Sequence, residues 1–402
     1  MKYITRTILL LSVVSLCTDL ASEMLYPIMP MYLRSIGFSV LLIGILEGIA
    51  EATAGLSKGF FGNLSDVLGR RAPFVRLGYA LSAVSKPMLA LLTHPWWVFT
   101  ARTTDRLGKG LRTGPRDAIL SAESRPEEKG RVFGFHRAFD TIGAALGPLV
   151  ALLILTLTPG DYTRLFLLAA IPGAAAVILT LFIRDSGKLP SAVSGPRPGF
   201  FAFLRYWRSA PKPYRLLVSG LLVFGLVNSS DLLLLLVMNQ QGATDRQVIL
   251  IYVFYNVVYA LASFPMGVLG DRIGLRRTFQ LGLLVFAIVY GAVGFVSSPA
   301  IMAALFLLYG LYAASTEGIS KAWIANIVPA TETATAIGFY TGMNSLCALI
   351  ASSTAGFLWY AVGPRAAFGV SAVGAVGVAV YFGWIFRRRM DSSSAAHQPG
   401  RV

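Results

Sequence analysis

The sequence predicts an all-α polytopic membrane protein, with twelve transmembrane helices arranged as two pseudo-symmetric six-helix bundles. Three observations lead there. The 402 residues are 55% hydrophobic and 13% charged, with a mean hydropathy of +0.66, a composition outside the range of water-soluble globules. Apolar runs of about 20 residues, the helix length that crosses a bilayer, recur twelve times. Basic residues gather in alternate connections between those runs.

The first six spans cover 7–33, 39–61, 73–92, 96–120, 132–157 and 162–183. The opening "MKYITRTILLLSVVSLC" has the charge and apolar run of a secretory signal, but no small-x-small cleavage site follows, and Leu16 before Cys17 spoils a lipoprotein box. It reads as an uncleaved first span. Residues 184–213 form a linker in which Pro190, Pro196, Pro198, Pro211 and Pro213 break any long helix. Its "GFFAFLRYWR" piece mixes aromatics with Arg205 and Arg208, as a helix lying on the cytoplasmic membrane surface does. Six further spans follow at 214–238, 248–269, 278–296, 300–328, 334–360 and 366–386, then a tail at 387–402. The domains are therefore 1–183, 184–213, 214–386 and 387–402.

A formal charge of +16 invites a nucleic-acid reading, so the 35 Lys and Arg were sorted by position. Alternate connections together with the termini carry 22, the opposite connections four, and the spans nine. This split places both termini in the cytoplasm and makes a nucleic-acid partner unnecessary. Cys17 and Cys347 fall inside spans and His94, His136 and His397 are scattered, so no disulfide, metal site or cofactor is expected.

An internal repeat supports the two halves. "GNLSDVLGRR" after the second span (Gly62, Asp66, Gly69, Arg70, Arg71) returns as "GVLGDRIGLRR" after the eighth (Gly267, Asp271, Gly274, Arg276, Arg277). A second echo pairs "VFGFHRAFD" with "AIGFYTGMN", which sets Asp140 opposite Asn344 and Asp117 opposite Lys321. Tandem six-span halves with this Gly-x-x-x-Asp-x-x-Gly-Arg-Arg loop resemble the major facilitator superfamily over the whole chain. The resemblance implies that the loop latches the two halves together on the cytoplasmic side. Physically, Gly62 permits close helix approach and Asp66 can accept hydrogen bonds at a neighbouring helix N-terminus. Arg70 and Arg71 would sit in the headgroup layer, where Arg71 and Arg277 read equally well as positive-inside anchors. In the fifth span "GAALGP" (Gly143, Gly147, Pro148) resembles the start of a motif of proton-coupled drug antiporters, although Ala151 and Leu152 stand where that motif continues with glycines.

The fourth span carries "RTTDRLGKGLRTGPRD", an unusual density of charge at membrane depth. At 100° per residue Arg102, Asp105, Arg106, Lys109, Arg112, Arg116 and Asp117 fall within an arc of about 140°. Ionised groups facing lipid are costly, so this face must turn to protein or to a water-filled cavity. Asp19, Glu23, Glu47, Glu51 and Asp105 lie about 16–24 Å from the cytoplasmic ends of their spans, level with Arg102, Arg106 and Lys109. Five carboxylates against three bases cannot pair one to one, which makes them, with Asp140 nearer the cytoplasm, candidate proton carriers. The competing reading is a structural salt-bridge lattice, favoured for Lys58, Lys86, Arg116 and Asp117.

Arg102, Arg106, Lys109, Arg112 and Arg137 are candidate cavity residues from the first half; Asn228, Asp231, Asn256, Glu317, Lys321 and Asn344 are those from the second. Glu317 and Lys321, four apart, are expected to pair along their own helix. Tyr252, Tyr255, Tyr259, Tyr309, Tyr312 and Tyr340 are either packing residues or an aromatic cavity wall. No Gly-rich Lys-Ser/Thr loop suggests ATP, and the His136-x-x-x-Asp140 spacing is too short a pattern to make an enzyme. The expected activity is secondary transport by alternating access, proton-coupled export of a cationic or neutral amphiphile. An organic anion is the second choice and a non-transporting sensor the third. The expected partners are a small-molecule substrate, protons and the lipid bilayer, around a monomer.

Overall fold

The computed structural model describes residues 4–395 apart from 27, 39, 186–198, 230, 242, 244 and 297. It is helical from end to end. The first half comprises α1 (Arg6–Glu23), α2 (Met29–Ser35), α3 (Val40–Val67), α4 (Ala72–Leu91), α5 (Pro95–Ala122), α6 (Lys129–Leu157) and α7 (Tyr162–Thr180). After the linker, with its short α8 (Tyr206–Ser209), come α9 (Lys212–Gly225), α10 (Asp231–Gln240), α11 (Asp245–Ile273), α12 (Leu275–Val293), α13 (Pro299–Ile327), α14 (Thr333–Ala361) and α15 (Pro364–Ala395).

Helix starts follow local chemistry. Thr5 caps α1 by accepting from the Ile8 amide at 3.2 Å, and Asp161 caps α7 by accepting from the Arg164 amide at 2.9 Å. Proline opens α4, α5 and α13, where its missing N–H has no helical partner to lose. Gly69 and Gly274 turn the chain after α3 and α11 with φ of 63° and 97°, a conformation that penalises any side chain. The repeated glycine of the two loops is thus a turn residue in both.

Among the described residues seven helices, α7, α12 and α15 among them, are long and apolar enough to cross a bilayer. The others that complete the twelve spans carry buried charge, as α5 does, or are interrupted. The first expected span divides into α1 and α2 and the seventh into α9 and α10. Both breaks fall at polar, helix-weakening sequence: Ser22 and Glu23 with Pro27 and Pro30, and Asn228 and Ser229 with Asp231. They sit at equivalent places in the two halves.

Each bundle is held by its own packing, and the halves meet along two long seams, α3 on α14 and α6 on α11. Large apolar side chains such as Leu167, Ile171, Ile288, Val373 and Val380 stay exposed on α7, α12 and α15, the faces that lipid would cover. Two expectations need correction. The linker piece is not one surface helix: a 3₁₀ turn, Ala202–Arg205, leads into α8 and buries Phe203 and Tyr206 under the protein. The cause is Gly59, whose bare backbone leaves room for the Phe203 ring, with Phe339 closing the other side at 6.5 Å between centroids. In addition α15 continues to Ala395, past the expected end of its span.

Candidate functional site: a charged cavity above two latches

The helices converge on a cavity of about 390 Å³ walled by both halves. Its charged residues come from α1, α3, α5 and α6 of the first half and from α13 of the second. Along α5 the expected charged face is turned into the protein: Arg102, Asp105, Arg106, Arg112, Arg116 and Asp117 are buried, and Lys109 faces open space in the cavity. The opposite side of α5 is buried too, because α3, α4 and α14 enclose it.

Of the expected site residues, Asp19, Glu23, Lys109, Arg112, Arg137, Asp140, Asn228, Asn256, Glu317, Lys321 and Asn344 line this cavity. Asp105 does not: it pairs with Lys86 at 2.6 Å and accepts from Ser85 at 3.4 Å, a closed structural unit between α4 and α5. Arg106 reaches Glu51 at 3.4 Å, with the Glu51 side chain 57% exposed. Arg102 is buried away from the wall, and the Glu47 side chain lies outside the described residues. Asp231 is likewise off the wall, accepting from the Tyr309 hydroxyl at 2.6 Å within a tyrosine stack in which Tyr309 lies 5.0 Å from Tyr255. Asn228 donates to the Tyr312 hydroxyl at 3.0 Å, and Asn256 to its own helix at Tyr252.

The α1 acids differ most from expectation. Asp19 lies beside Asp140 on the cavity wall where α1 packs on α6. Gly143 and Gly147 on α6 make it possible, since their bare backbones lie against α1 at Leu16, Asp19 and Glu23; Pro148 follows inside the same helix. Asp140 also accepts from Ser15 at 2.5 Å and pairs with Arg137 at 2.5 Å. Arg137 then crosses to the other half, bonding the Tyr259 hydroxyl and pairing with Glu317 at 2.5 Å. Lys321 crosses the opposite way to Asp117 at 2.7 Å, where Arg116 also pairs at 2.9 Å. Glu317 and Lys321 therefore do not pair along α13. Each instead meets an opposite charge in the other half, a fully buried one for Lys321, and these tertiary partners outweigh a helical neighbour. Asp117 and Lys321, matched in the repeat, meet each other where the halves join.

Below the cavity the two loop motifs close the linker-side end. Asp66 accepts from the Thr335 amide at 2.7 Å and its hydroxyl at 2.9 Å, at the N-terminus of α14. Asp271 accepts from the Gly130 amide at 2.8 Å and from the Arg131 amide and guanidinium at 3.0 and 2.8 Å, at the N-terminus of α6. A carboxylate beside unpaired amides at a positive helix end is strongly held. Gly62 and Gly267 bring the backbones together, each lying against the opposite half at Ala334 and Gly130. Arg71 is not in the headgroup layer: it is buried, pairing with Asp66 at 2.8 Å and donating to the Ala330 carbonyl at 2.5 Å and the Ala118 carbonyl at 3.3 Å. Arg70 and Arg277 are exposed, as anchors would be, and Arg276 is partly covered.

Several contributors escaped sequence reasoning. Asp185, just past α7, accepts from the Arg71 and Ala72 amides at 2.9 and 2.8 Å and caps α4. Lys58, assigned to a lattice, lines the cavity and donates to Ser345 on α14 at 3.3 Å. Tyr206 donates to Glu332 at 3.1 Å beside the α14 N-terminus; burial and that carboxylate push its hydroxyl pKa up, so it stays a donor. Only Asp185 had a signal, an acid next to the fourth basic connection.

This geometry can be set beside known proteins. An uncharacterised MFS-type transporter of Methanocaldococcus jannaschii, MJ1317, is 32% identical over 365 residues, 89% of each chain. The multidrug resistance protein MdtH of Cronobacter sakazakii is 25% identical over 313 residues, 77% of this chain and 75% of that one. The fold is that of the Escherichia coli fucose:proton symporter FucP, with a TM-score of 0.77 over 95% of this chain and 98% of that one at 14% identity. The Major Facilitator Superfamily model matches residues 11–241 and 217–401. Two six-helix halves, a shared central cavity and a repeated acidic loop closing one end agree with that match along the whole chain: this protein is a member of the Major Facilitator Superfamily, a membrane transporter and not an enzyme.

Proposed function

We propose that the chain is a proton-coupled secondary transporter that moves an amphiphilic solute by alternating access. The observation that carries this reading is the Asp140–Arg137–Glu317 chain of ion pairs across the two halves, with Asp19 beside Asp140 on the same wall. A proton on this pair sets how strongly Arg137 is drawn to α6, and hence how firmly the halves are joined. With the basic connections and both termini in the cytoplasm, the latches lie on the cytoplasmic side and the cavity faces outward. Reporter fusions after residue 389 and at Gly160 should report opposite sides; equal readings would defeat the orientation.

Two substrate classes meet this cavity. Its acids, together with the name of the relative MdtH, favour a cationic or neutral amphiphile exported in exchange for protons. The charge balance of the wall favours an organic anion, since Lys58, Lys109, Arg112, Arg116, Arg137 and Lys321 stand against Asp19, Glu23, Asp140 and Glu317. The coupling test is common to both. Asp19→Asn and Glu23→Gln are reconstituted and assayed for counterflow and for pH-driven accumulation. A proton role requires folded protein that still exchanges solute down its gradient but no longer concentrates it. Full pH-driven accumulation in both variants would remove α1 from the coupling path.

A further inference from the structure

We propose that Lys58, Lys109 and Arg112 form the headgroup site for an amphiphilic organic anion, a carboxylate whose apolar body lies on the aromatic wall of the opposite half. This deepens the transporter reading, since the site is the transport cavity itself. The first observation is which bases lack a counter-ion. Of the six bases on the wall, Arg137, Arg116 and Lys321 are each in ion pairs. Among the described residues Lys58, Lys109 and Arg112 are in none. Asp19, Glu23 and Glu51 share their field without closing to ion-pair distance on any of the three, and a ligand carboxylate would supply that close counter-charge.

The second observation is that two of the three are held by neutral groups. Arg112 donates to Ser82 Oγ at 2.6 Å and lies over the Tyr79 ring at 4.6 Å, which fixes its guanidinium without neutralising it. Lys58 donates to the Ser345 hydroxyl, a partner that a carboxylate readily displaces. Lys109 extends from α5 into the cavity and, with Lys58, stands in a common field. Opposite them Phe224, Tyr312 and Tyr340 offer aromatic surface, with Asn228 and Asn344 able to serve a polar substituent.

The sign of proton coupling follows from this placement. Asp19 and Glu23 face Lys109, Arg106 and Arg112 of α5, Arg137 and Asp140 of α6, and Tyr252 of α11. As carboxylates they compete with the ligand for the same cations. Protonating either one removes a repulsive charge, so the anion and the proton bind together and travel in the same direction. A cationic substrate would give the opposite sign.

Two probes of one shape and opposite charge make the test: 2-naphthoate and 2-naphthylmethylammonium, titrated into the purified full chain near pH 6 and pH 8 with melting temperature as readout. The expected result is that 2-naphthoate stabilises the protein, more strongly near pH 6, and the ammonium does not. Lys109→Gln and Lys58→Gln should each weaken 2-naphthoate binding about tenfold, the effect of losing one short charge contact in a partly shielded site. Lys109→Arg should restore most of it, and Glu23→Gln should abolish the gain on acidification. Lys58 touches the seam with α14, so if its variant fails to fold, Lys109→Gln, at a cavity-facing position, decides alone. Stabilisation by the ammonium only, or 2-naphthoate affinity unchanged in Lys109→Gln, overturns the proposal. Counterflow of any solute in liposomes keeps the transporter reading standing in that event, and the absence of counterflow for every solute would sink that reading separately.

Discussion

Asp66 and Asp271 stand at matched positions of the two halves and both cap a helix of the opposite half, yet they draw their cations from different sides of the gate. The cation of Asp66 is Arg71, from its own half; the Thr335 contacts cross the seam, as does the bond from Arg71 to the Ala330 carbonyl. The cation of Asp271 is Arg131, from the other half, and the Gly130 and Arg131 amides also cross. Parting the halves would leave Asp66 paired and strip Asp271 of every partner described here. One motif, repeated, is therefore expected to serve two ends: the first loop holds the first half together around a buried arginine, and the second supplies the charge that keeps the gate shut.

The largest expected effect tests the first of these roles. Asp66→Ala leaves the Arg71 guanidinium, nearly inaccessible, with carbonyl acceptors but no counter-ion. Breaking a buried pair from one side costs about 3–5 kcal/mol. Asp271→Ala should cost less than half of that, because the Arg131 side chain is 25% exposed and finds water. Unfolding curves in the same detergent settle the order. Equal losses would mean that the two loops do not differ in the way their cations suggest.

That difference was not legible in the sequence. The motif letters are the same in both loops, and the placement of the fold, the two halves and the repeated acids follows from composition, period and spacing alone. Which arginine is buried depends on what lies above it. Arg71 is enclosed by Ala118 and Ala330, contributed by α5 and the connection after α13, and no local pattern announces those neighbours. The cavity was read in the same partial way. Depth along each span set Asp19, Glu23 and Lys109 at one level, and all three line the cavity, yet depth says nothing of azimuth between helices, so the nearness of Asp19 to Asp140 on α6 was not read from it. Helical spacing likewise suggested a Glu317–Lys321 pair, and tertiary partners of opposite charge took both.

The second expected effect concerns the gate. In Asp271→Asn the side chain keeps one acceptor for the α6 amides but loses its charge-assisted bond to Arg131. A loss of about 1.5–3 kcal/mol from the closed state shifts the opening equilibrium roughly tenfold or more. Ser263 is buried on the α6–α11 seam, with its carbonyl against Gly134, so Ser263→Cys is a suitable reporter once Cys17 and Cys347 are replaced by serine. Its modification by a thiol reagent added on the linker side should rise by that factor, with the melting temperature little changed. Asp66→Asn should raise it less, since the Asp66 charge pair does not cross the seam. The reverse order would make Asp66 the main latch.

A smaller effect is expected from the linker. Phe203 packs against Gly59 and faces Phe339 beneath the α3–α14 seam, and Trp207 stacks on Phe339 at 5.7 Å. Removing a buried phenyl ring costs about 3 kcal/mol or more in a rigid core. Much of that should be recovered here because a linker strap at the edge of the protein can collapse onto the void. Phe203→Ala should then raise Ser263→Cys modification only a few-fold while sparing stability. Modification unchanged from the parent would mean that the strap rides on the closed gate without contributing to it.

The smallest effect belongs to the basic residues that resemble the latch most in sequence and least in structure. Arg277 ends the second motif as Arg71 ends the first, one place later because Leu275 is inserted, but its side chain is exposed and α12 begins at Leu275, so it projects from the first turn of a helix. A positive charge near a helix N-terminus is, if anything, slightly unfavourable to that helix. Its contribution must then come from the headgroup layer and from the positive-inside bias, to which it adds one charge among 22. Arg277→Ala should leave stability within about 0.5 kcal/mol, gate accessibility at the parent value and the orientation of insertion intact. Arg71→Ala should by contrast lose stability on the scale of Asp66→Ala, because it strands the same buried pair from the other side. If Arg277→Ala opened the gate as Asp271→Asn is expected to, the exposed arginine would have to engage the opposite half in a state other than the closed one, and the contrast drawn between the two loops would have to be given up.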